Sequence, residues 1–189
     1  ANTNWQNEIF RTAIGHDHNV AISGQAANWL PYRVSAGYTN QQGIIKTSNF
    51  ERFTGALTLN PSLLNDHLKV TLNAKGMWTK NRYADGEAIK AARQFDPTQP
   101  VRANGFDNFG GYYQWLDIGT ALNDPTWPQT YYSLATKNPV SILNLKNDRA
   151  ISRDFLGSAD VDYKVHGFED LRLHVTAGID IAKGRQDTD

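Results

Sequence analysis

The sequence predicts an all-β fold: an antiparallel transmembrane β-barrel, present in part as about six strands, with one long structured extracellular loop. Three observations favour it. Six segments alternate apolar and polar residues, two of them run for about 11 residues, and aromatic residues stand at the ends of the apolar faces. Successive side chains of a strand point to opposite faces, so this alternation predicts strands with one apolar and one polar face.

Composition excludes several other classes. The chain has 189 residues, of which 11% are aromatic and 20% are charged, values that are wrong for a disordered chain. Its 19 Lys+Arg balance 19 Asp+Glu, so no basic footprint indicates a nucleic-acid partner. No apolar run approaches the ~18 residues of a membrane-spanning helix, and the absence of cysteine excludes disulfides and thiolate metal sites. No secretory signal opens the chain, which predicts that it is a processed protein or an internal piece of a longer one.

The predicted strands divide the chain into four parts. Residues 1–15 form a loop that enters the barrel, 16–80 form four strands, 81–150 form the long extracellular loop, and 151–184 form two strands. The alternating segments themselves are 19–24, 32–39, 52–60, 68–79, 155–165 and 171–181.

Strand length favours a membrane barrel over a soluble sheet. Ordinary strands have about 5–6 residues, whereas a membrane-spanning strand needs ~9–11 at a tilt of about 45°. At ~3.3 Å per residue, residues 68–78 cover roughly 33 Å of strand, or about 23 Å of height once tilted. The apolar band of an outer-membrane barrel is about 25 Å tall.

Aromatic side chains stand where the apolar faces end, as in the girdles at membrane interfaces. These residues are Tyr32, Tyr38, Phe53, Trp78, Phe155 and Tyr163.

The lengths of the connections are sorted by side. Short turns at 26–31, 61–67 and 166–170 fall on one side, and the insertion at 81–150 falls on the other, a typical feature of outer-membrane barrels. Within the insertion, Asp85 precedes apolar residues at helical spacing, which predicts a short helix over about 86–95.

A soluble β-sandwich that binds carbohydrate is the alternative, because its strands also alternate apolar and polar residues. Solubility without detergent would distinguish the two. A purely structural surface or adhesion protein is a third class, which the family resemblance below disfavours.

No pattern predicts an enzyme, a metal or a cofactor. His16-Asp17-His18 resembles a metal-binding tripeptide, but its two histidines share a strand face with no third ligand in sight. Asp160 and Asp162 share a face as well, and a pair facing the barrel lumen is the simpler interpretation.

The candidate ligand-binding residues are aromatic. Sugar rings stack on aromatic faces, and nearby glycines let the backbone approach a ligand closely. The candidates for contact with a ligand or with a partner that covers the barrel lie in the insertion; they are Phe106, Phe109, Tyr112, Tyr113, Trp115, Trp127, Tyr131 and Tyr132. The alternative is that these rings form the small core of the loop.

Several segments resemble the SusC/RagA type of TonB-dependent transporter. Residues 4–13 (NWQNEIFRTA), 18–24 (HNVAISG) and 32–44 (YRVSAGYTNQQGI) are similar to the start of the barrel in that family. The likeness continues at 50–55 (FERFTG), 59–61, 68–70, 73–76 and 95–101 (FDPTQPV), and returns at Arg153, 155–157 and 171–184. These motifs are specific for the family and not for a substrate.

The resemblance implies a location, partners and a substrate class. Such proteins are 22-stranded barrels of the outer membrane, here of the Gram-negative, Bacteroidetes-like kind, with an N-terminal plug. They are embedded in outer-membrane lipid, draw energy from the TonB complex, pair with a SusD-type lipoprotein lid, and import a glycan or oligopeptide. The present chain then corresponds to strands two to seven, a fragment whose open edges cannot close a barrel alone.

Overall fold

The fold is a single antiparallel sheet that carries a small helical cluster at one end. The computed structural model describes residues 2–117 and 130–189. The strands are adjacent in chain order, apart from a two-residue strand, β4, that pairs with β5 beside β3. Their bounds are β1 (Gly15–Ala27), β2 (Leu30–Gln42), β3 (Asn49–Leu59), β4 (Ser62–Leu63), β5 (Leu68–Tyr83), β6 (Asp148–Lys164) and β7 (Arg172–Thr188).

One face of the sheet is apolar from strand to strand. The antiparallel register aligns a row across the six long strands, composed of Ile22, Val34, Leu57, Ala74, Gly157 and Ile179. Nothing in the described chain covers this face, since Ile22 remains 62% exposed and Val175 also 62%. Large exposed apolar patches are rare on monomers in water and mark surfaces that meet a partner or a membrane.

The opposite face is polar and hydrogen-bonded across the strands. Thr58 Oγ1 donates to Asn73 Oδ1 at 3.0 Å, and Asn73 Nδ2 donates to Ser158 Oγ at 3.3 Å. Further along, Arg172 Nε lies 3.3 Å from Asp162 Oδ1. These side chains interact with one another and with water, so this face needs no apolar cover.

The buried apolar residues lie outside the long strands. Helix α1 (Trp5–Ile9) precedes β1, while α2 (Glu87–Gln94), a 3-10 turn (Asp107–Phe109) and α3 (Pro139–Leu145) belong to the insertion between β5 and β6. Their shared core comprises Trp5, Ile9, Ala88, Ala92, Phe95, Tyr112, Val140 and Leu143. The helical cluster is therefore the hydrophobic core of the described chain.

The predicted fold class is confirmed. The sheet is antiparallel throughout, α2 falls where the sequence places a helix, and the apolar faces around Leu72 and Val175 are not covered by a second sheet among residues 2–117 and 130–189. No helix in these ranges has the length and apolar character to cross a membrane.

Some predicted boundaries were wrong. Residues 5–9, expected within a loop, form α1, whose N-cap Asn4 accepts a hydrogen bond from the backbone N–H of Asn7. The 61–67 turn contains β4, and β6 begins at Asp148 rather than after 150. These extensions lie beyond the apolar band, where no alternation of apolar and polar residues marks a strand. There the strand is formed by backbone hydrogen bonds to an adjacent strand that extends equally far.

Shortening a core residue should loosen the helical cluster selectively. Leu143 is 2% exposed, so Leu143→Ala should cost about 2–5 kcal/mol of local stability through lost burial and a residual cavity. Leu134 is 85% exposed, and Leu134→Ala should change stability by no more than about 0.5 kcal/mol. Hydrogen–deuterium exchange across α1 and α2 measures both. Equal protection in the two variants would contradict the assignment of this cluster as a core.

Candidate functional site: an aromatic cluster in the insertion

Five of the predicted aromatic residues form one contact chain, here called the aromatic cluster. It consists of Phe106, Phe109, Tyr113, Trp115 and Tyr131. The ring centroids of Phe106 and Tyr113 are 5.2 Å apart, and those of Tyr113 and Trp115 are 5.5 Å apart. On the other side, Phe109 and Tyr131 approach to 4.6 Å. Phe106 and Phe109, 6.4 Å apart, join the two halves, so the insertion folds back to bring Phe109 against Tyr131, 22 residues later.

The remaining candidates have other positions. Tyr112 is 4% exposed; its ring lies 4.5 Å from the Arg102 guanidinium carbon, and its hydroxyl accepts hydrogen bonds from Arg102 and Asn144. Tyr132 is 47% exposed and its backbone N–H donates to the Trp115 carbonyl at 2.9 Å. Trp127 lies outside the described residues.

Exposure divides the candidates into two groups. Phe109, at 6% exposed, and Tyr112 are packed inside the insertion and offer almost no surface to a ligand. Trp115, Tyr131 and Tyr132 are each at least 36% exposed. Contact with a ligand or a partner therefore stays a prediction, concentrated on these three residues.

Glycines shape the turn that assembles the cluster. Gly110 and Gly111 have φ angles of 65° and 77°, the left-handed region in which a side chain is strained. The chain reverses there, so Arg102 and Tyr112 form an isolated antiparallel bridge. At Gly110 an added Cβ would also lie 3.0 Å from Leu145 Cδ2, so that side chain would have to shift slightly.

A buried asparagine ties the surrounding segments together. Asn138, which is 0% exposed, donates from Nδ2 to the carbonyls of Val101 and Tyr113, at 3.0 and 3.1 Å. Its Oδ1 caps α3 by accepting from the backbone N–H groups of Val140 and Ser141. One side chain therefore holds the segment around Tyr113, which carries part of the aromatic cluster, against the start of α3. The Asn138-Pro139 pair is a recognised helix-start signal that sequence reasoning missed.

A cleft of about 600 Å³ opens beside Tyr131. Lys137 Nζ lies 5.1 Å from the centre of the Tyr131 ring, within range of a cation–π contact. The wall opposite comes from α2 and α3 and carries Lys90 and Ile142. Polar and apolar groups thus alternate around one ring, an arrangement suited to an amphipathic solute.

The phenols in the cluster stay protonated at neutral pH. Burial raises the pKa of Tyr113, with a smaller contribution from the nearby Asp96 carboxylate, and burial alone raises the pKa of Tyr131. Both hydroxyls can therefore donate as well as accept hydrogen bonds. Each ring offers an apolar face together with a polar edge.

An ion pair fixes the base of the cleft. Asp85 Oδ2 accepts from Lys146 Nζ at 2.8 Å, while Asp85 Oδ1 accepts from the backbone N–H of Glu87. The hydrogen bond from Lys146 is the main reason why the pKa of Asp85 falls below its usual 3.8, and Asp85 in turn raises the pKa of Lys146. The pair links the start of α2 to the residue after α3.

The other sequence candidates show no catalytic or metal-binding geometry. His16 and His18 share the exposed face of β1 with ring centroids 5.2 Å apart, and no group of three potential ligands forms among residues 2–117 and 130–189. Asp160 accepts a hydrogen bond from Thr176 at 2.6 Å, and Asp162 pairs with Arg172. These carboxylates are occupied by contacts within the sheet.

Comparison with known proteins points to one group. No protein-family model matches the chain. Over its whole length the chain is 51% identical to the TonB-dependent receptor SusC of Bacteroides thetaiotaomicron, of which it covers 19%. It is 30% identical over 148 residues (73% of this chain) to a TonB-dependent receptor of Formosa agariphila, of which it covers 14%.

Solved structures agree on the fold. The closed-closed state of the RagAB peptide importer is matched over 100% of this chain and 20% of that chain, with a TM-score of 0.62 and 22% identity. A second structure, of the RagAB peptide transporter, is matched over 99% of this chain and 20% of the transporter chain, with a TM-score of 0.61 and 23% identity.

Fold and relatives together define a segment of the barrel of a TonB-dependent transporter. Within that class the chain is of the SusC/RagA type, which confirms the resemblance seen in the sequence. The chain spans about a fifth of the length of these relatives, since it covers 19% of SusC.

Low pH should break the Asp85–Lys146 ion pair that links the start of α2 to the residue after α3. A carboxyl whose pKa is lowered on folding stabilises the fold above its unfolded pKa, and this contribution disappears as the pH falls through the folded value. We therefore expect hydrogen–deuterium exchange around Asp85 and Lys146, corrected for intrinsic rates, to rise as the pH falls below about 3.8. In Asp85→Asn the amides in this region should exchange quickly already at pH 7, and their exchange should no longer depend on the ionisation of residue 85. The substitution Asp107→Asn, at an exposed position, should leave the pH dependence as it is in the unsubstituted protein. A parental response in Asp85→Asn would reject the assignment.

Proposed function

We propose that this chain is part of an outer-membrane TonB-dependent transporter that imports a glycan together with a SusD-type surface lipoprotein. Full transport, its energy supply from TonB and the partner belong to the whole protein, of which the chain is a segment. The relationship to SusC supports the class, and the sheet described here supports the membrane location.

The exposed apolar face is the observation that carries the proposal. It lies on six long strands, and at one end it finishes in a row of touching rings: Tyr38 and Phe53 at 4.5 Å, then Phe53 and Trp78 at 5.6 Å. From Leu68 to Trp78 the band is roughly 33 Å long, or about 23 Å high at a 45° tilt, close to the height of a bilayer core. A soluble β-sandwich would cover such a face with a second sheet.

The polar face then lines the interior of the barrel. Its hydrogen-bonded rows of Thr58, Asn73 and Ser158 suit a wet lumen or contact with a polar plug. On this assignment the insertion and the loop at 43–48 share one end of the sheet, and the short turns share the other. The insertion is therefore extracellular, where nutrient arrives.

A glycan is the substrate class that the aromatic cluster favours. Tyr131 lines a cleft of about 600 Å³ and, like Trp115 and Tyr132, is at least 36% exposed; apolar sugar faces stack on such rings. An oligopeptide is the second candidate, since the RagAB neighbours are named as a peptide importer and transporter. The same exposed surface of the insertion is where we place contact with the SusD-type lipoprotein.

Charge on the apolar face should block membrane assembly. Leu72→Arg places a guanidinium near the midplane, at a cost of about 2–4 kcal/mol, because no water solvates it there. Asn73→Arg points to the polar face and should assemble normally. Heat-modifiable migration of the full-length transporter in outer-membrane fractions measures both variants.

A larger apolar residue separates a lipid face from a packed core. Val70→Phe in the full-length transporter should leave assembly unchanged, because fluid acyl chains move aside. In a packed core it would cost about 1–3 kcal/mol through overpacking. If Val70→Phe impaired assembly as strongly as Leu72→Arg, the membrane assignment would be wrong.

Removing exposed rings should weaken uptake without affecting the fold. Trp115→Ala combined with Tyr132→Ala should lower uptake or binding of oligosaccharide by roughly 30-fold, since each stacked ring contributes about 1 kcal/mol and every 1.4 kcal/mol is about tenfold. Ile89→Ala, also exposed in the insertion but outside the lining of the cleft, is the matched control. Oligosaccharide and oligopeptide uptake are measured in parallel. A loss confined to oligopeptide would replace the glycan by a peptide, and no loss would remove these residues from the site.

A further inference from the structure

Beyond its aromatic end, the apolar face of the sheet turns basic. In β5 the residues that follow Trp78 on the same face are Lys80 and Arg82. Register places Arg149 of β6 opposite Arg82, and Arg11 reaches the same place from the segment before β1. These basic residues and neighbouring polar ones line a pocket of about 440 Å³, here called the rim pocket. Its lining residues are Arg11, Asn40, Gln42, Thr47, Asn49, Glu51, Lys80, Arg82 and Arg149.

The rim pocket carries an excess of positive charge. Four of its lining residues are cations and Glu51 is the carboxylate among them, an excess of three. Glu51 Oε1 already accepts hydrogen bonds from Asn40 Nδ2 and Asn49 Nδ2, at 3.4 and 3.2 Å. Within the described chain, Lys80 and Arg82 belong to none of the ion pairs. The pocket therefore complements an anion.

Two polar groups in the pocket lack a partner. Arg82 Nε and Thr47 Oγ1 are buried and have no hydrogen-bond acceptor or donor among the described residues. Buried donors are rarely left unpaired, because their lost hydration is not replaced. Arg11, by contrast, is held in place, with Nε donating to the Gly43 carbonyl at 3.1 Å and Nη2 to the Ser48 carbonyl at 2.6 Å. Arg11 is thus fixed in position, while Arg82 Nε and Thr47 Oγ1 still have unused hydrogen-bonding capacity.

The height of the pocket matches the headgroup layer. Lys80 and Arg82 lie two and four residues beyond Trp78, about 7 and 13 Å along the strand and about 5 and 9 Å in height at a 45° tilt. Headgroups occupy about 5–8 Å on each side of the hydrocarbon core. A molecule with its head in the pocket would lay its acyl chains along Phe53 and Trp78, which face the same side.

We propose that the rim pocket binds the phosphate of a phosphorylated lipid headgroup in the outer leaflet. This inference rests on the proposed membrane location. Guanidinium groups pair with phosphate oxygens through two parallel hydrogen bonds, and Arg82 and Arg149 supply two such groups beside the ammonium of Lys80. The pocket is continuous with the apolar band, which distinguishes a lipid from a free anion as its occupant.

Native mass spectrometry of the full-length transporter in detergent tests the proposal, with diphosphorylated lipid A as the probe. Lys80→Gln combined with Arg82→Gln should weaken binding by about tenfold or more, since hydrogen bonds to charged groups are lost. Lys69→Gln combined with Lys75→Gln, on the opposite face of the same strand, should bind like the parent. If the rim variant does not assemble, Arg82→Gln alone is measured, with a weaker but clear loss expected.

Three results would overturn the lipid site. These are parental affinity in the rim variant, equal binding of dephosphorylated lipid A, and displacement of the lipid by inorganic phosphate at matching concentration, which would indicate a site for free anions. Outer-membrane fractionation of the parent is scored separately. If the unsubstituted transporter is absent from the outer membrane, the proposed function is rejected. If it is present there but binds lipid A no more tightly than the rim variant does, the rim pocket alone is rejected.

Discussion

The structure depends on a strand register that keeps one set of side chains on each face over the whole sheet. The pairs β2–β3, β3–β5, β5–β6 and β6–β7 run without a slip, and β1–β2 shifts only between Gln25 and Ala27, at its turn. A slip of one residue would move every apolar side chain of a strand to the polar face. The apolar band, the hydrogen-bonded polar face and the rim pocket all follow from this one constraint.

A sheet whose apolar face is uncovered has no core of its own, and the helical cluster provides one at the end of the sheet that carries the insertion. The contacts that hold it span the sequence: the Thr3 backbone N–H donates to the Pro97 carbonyl at 2.8 Å, and Trp5 Nε1 donates to the Asp96 carbonyl at 2.9 Å. The segment before β1 is therefore packed against an insertion some 90 residues later. Anchored in this way, the insertion presents its aromatic cluster from a fixed base.

Sequence reasoning succeeded where a physical pattern is local. Alternation located the long strands, and the spacing of Ala88 and Ala92 after Asp85 located α2. It failed at strand ends such as 148–150, because charged residues outside the apolar band leave no periodic signal. The five residues of α1 are too few to show a helical period, and their helix is stabilised by burial of Trp5 and Ile9 in contacts distant in sequence.

The candidate site shows the same division. The sequence left open whether the rings of the insertion contact a ligand or form the small core of the loop, and five of them are in ring contact with one another. Which rings face solvent was not predictable, since Phe109 is buried by the turn at Gly110 while Trp115 is left at its edge. The rim pocket was missed for a related reason: its four cations come from three separate segments, and only the fold brings them together.

One short segment connects these features. Ile9 is 0% exposed within the helical cluster, Phe10 forms an isolated bridge with Ile45, and Arg11 lines the rim pocket while holding the loop at 43–48. Three consecutive residues thus contact the insertion, the neighbouring loop and the rim pocket in turn. Because close-packed interiors resist small displacements, a shift of this segment would disturb the packing of Ile9 and the position of Arg11 at once. The base of the insertion and the proposed lipid site are therefore fixed by the same stretch of chain.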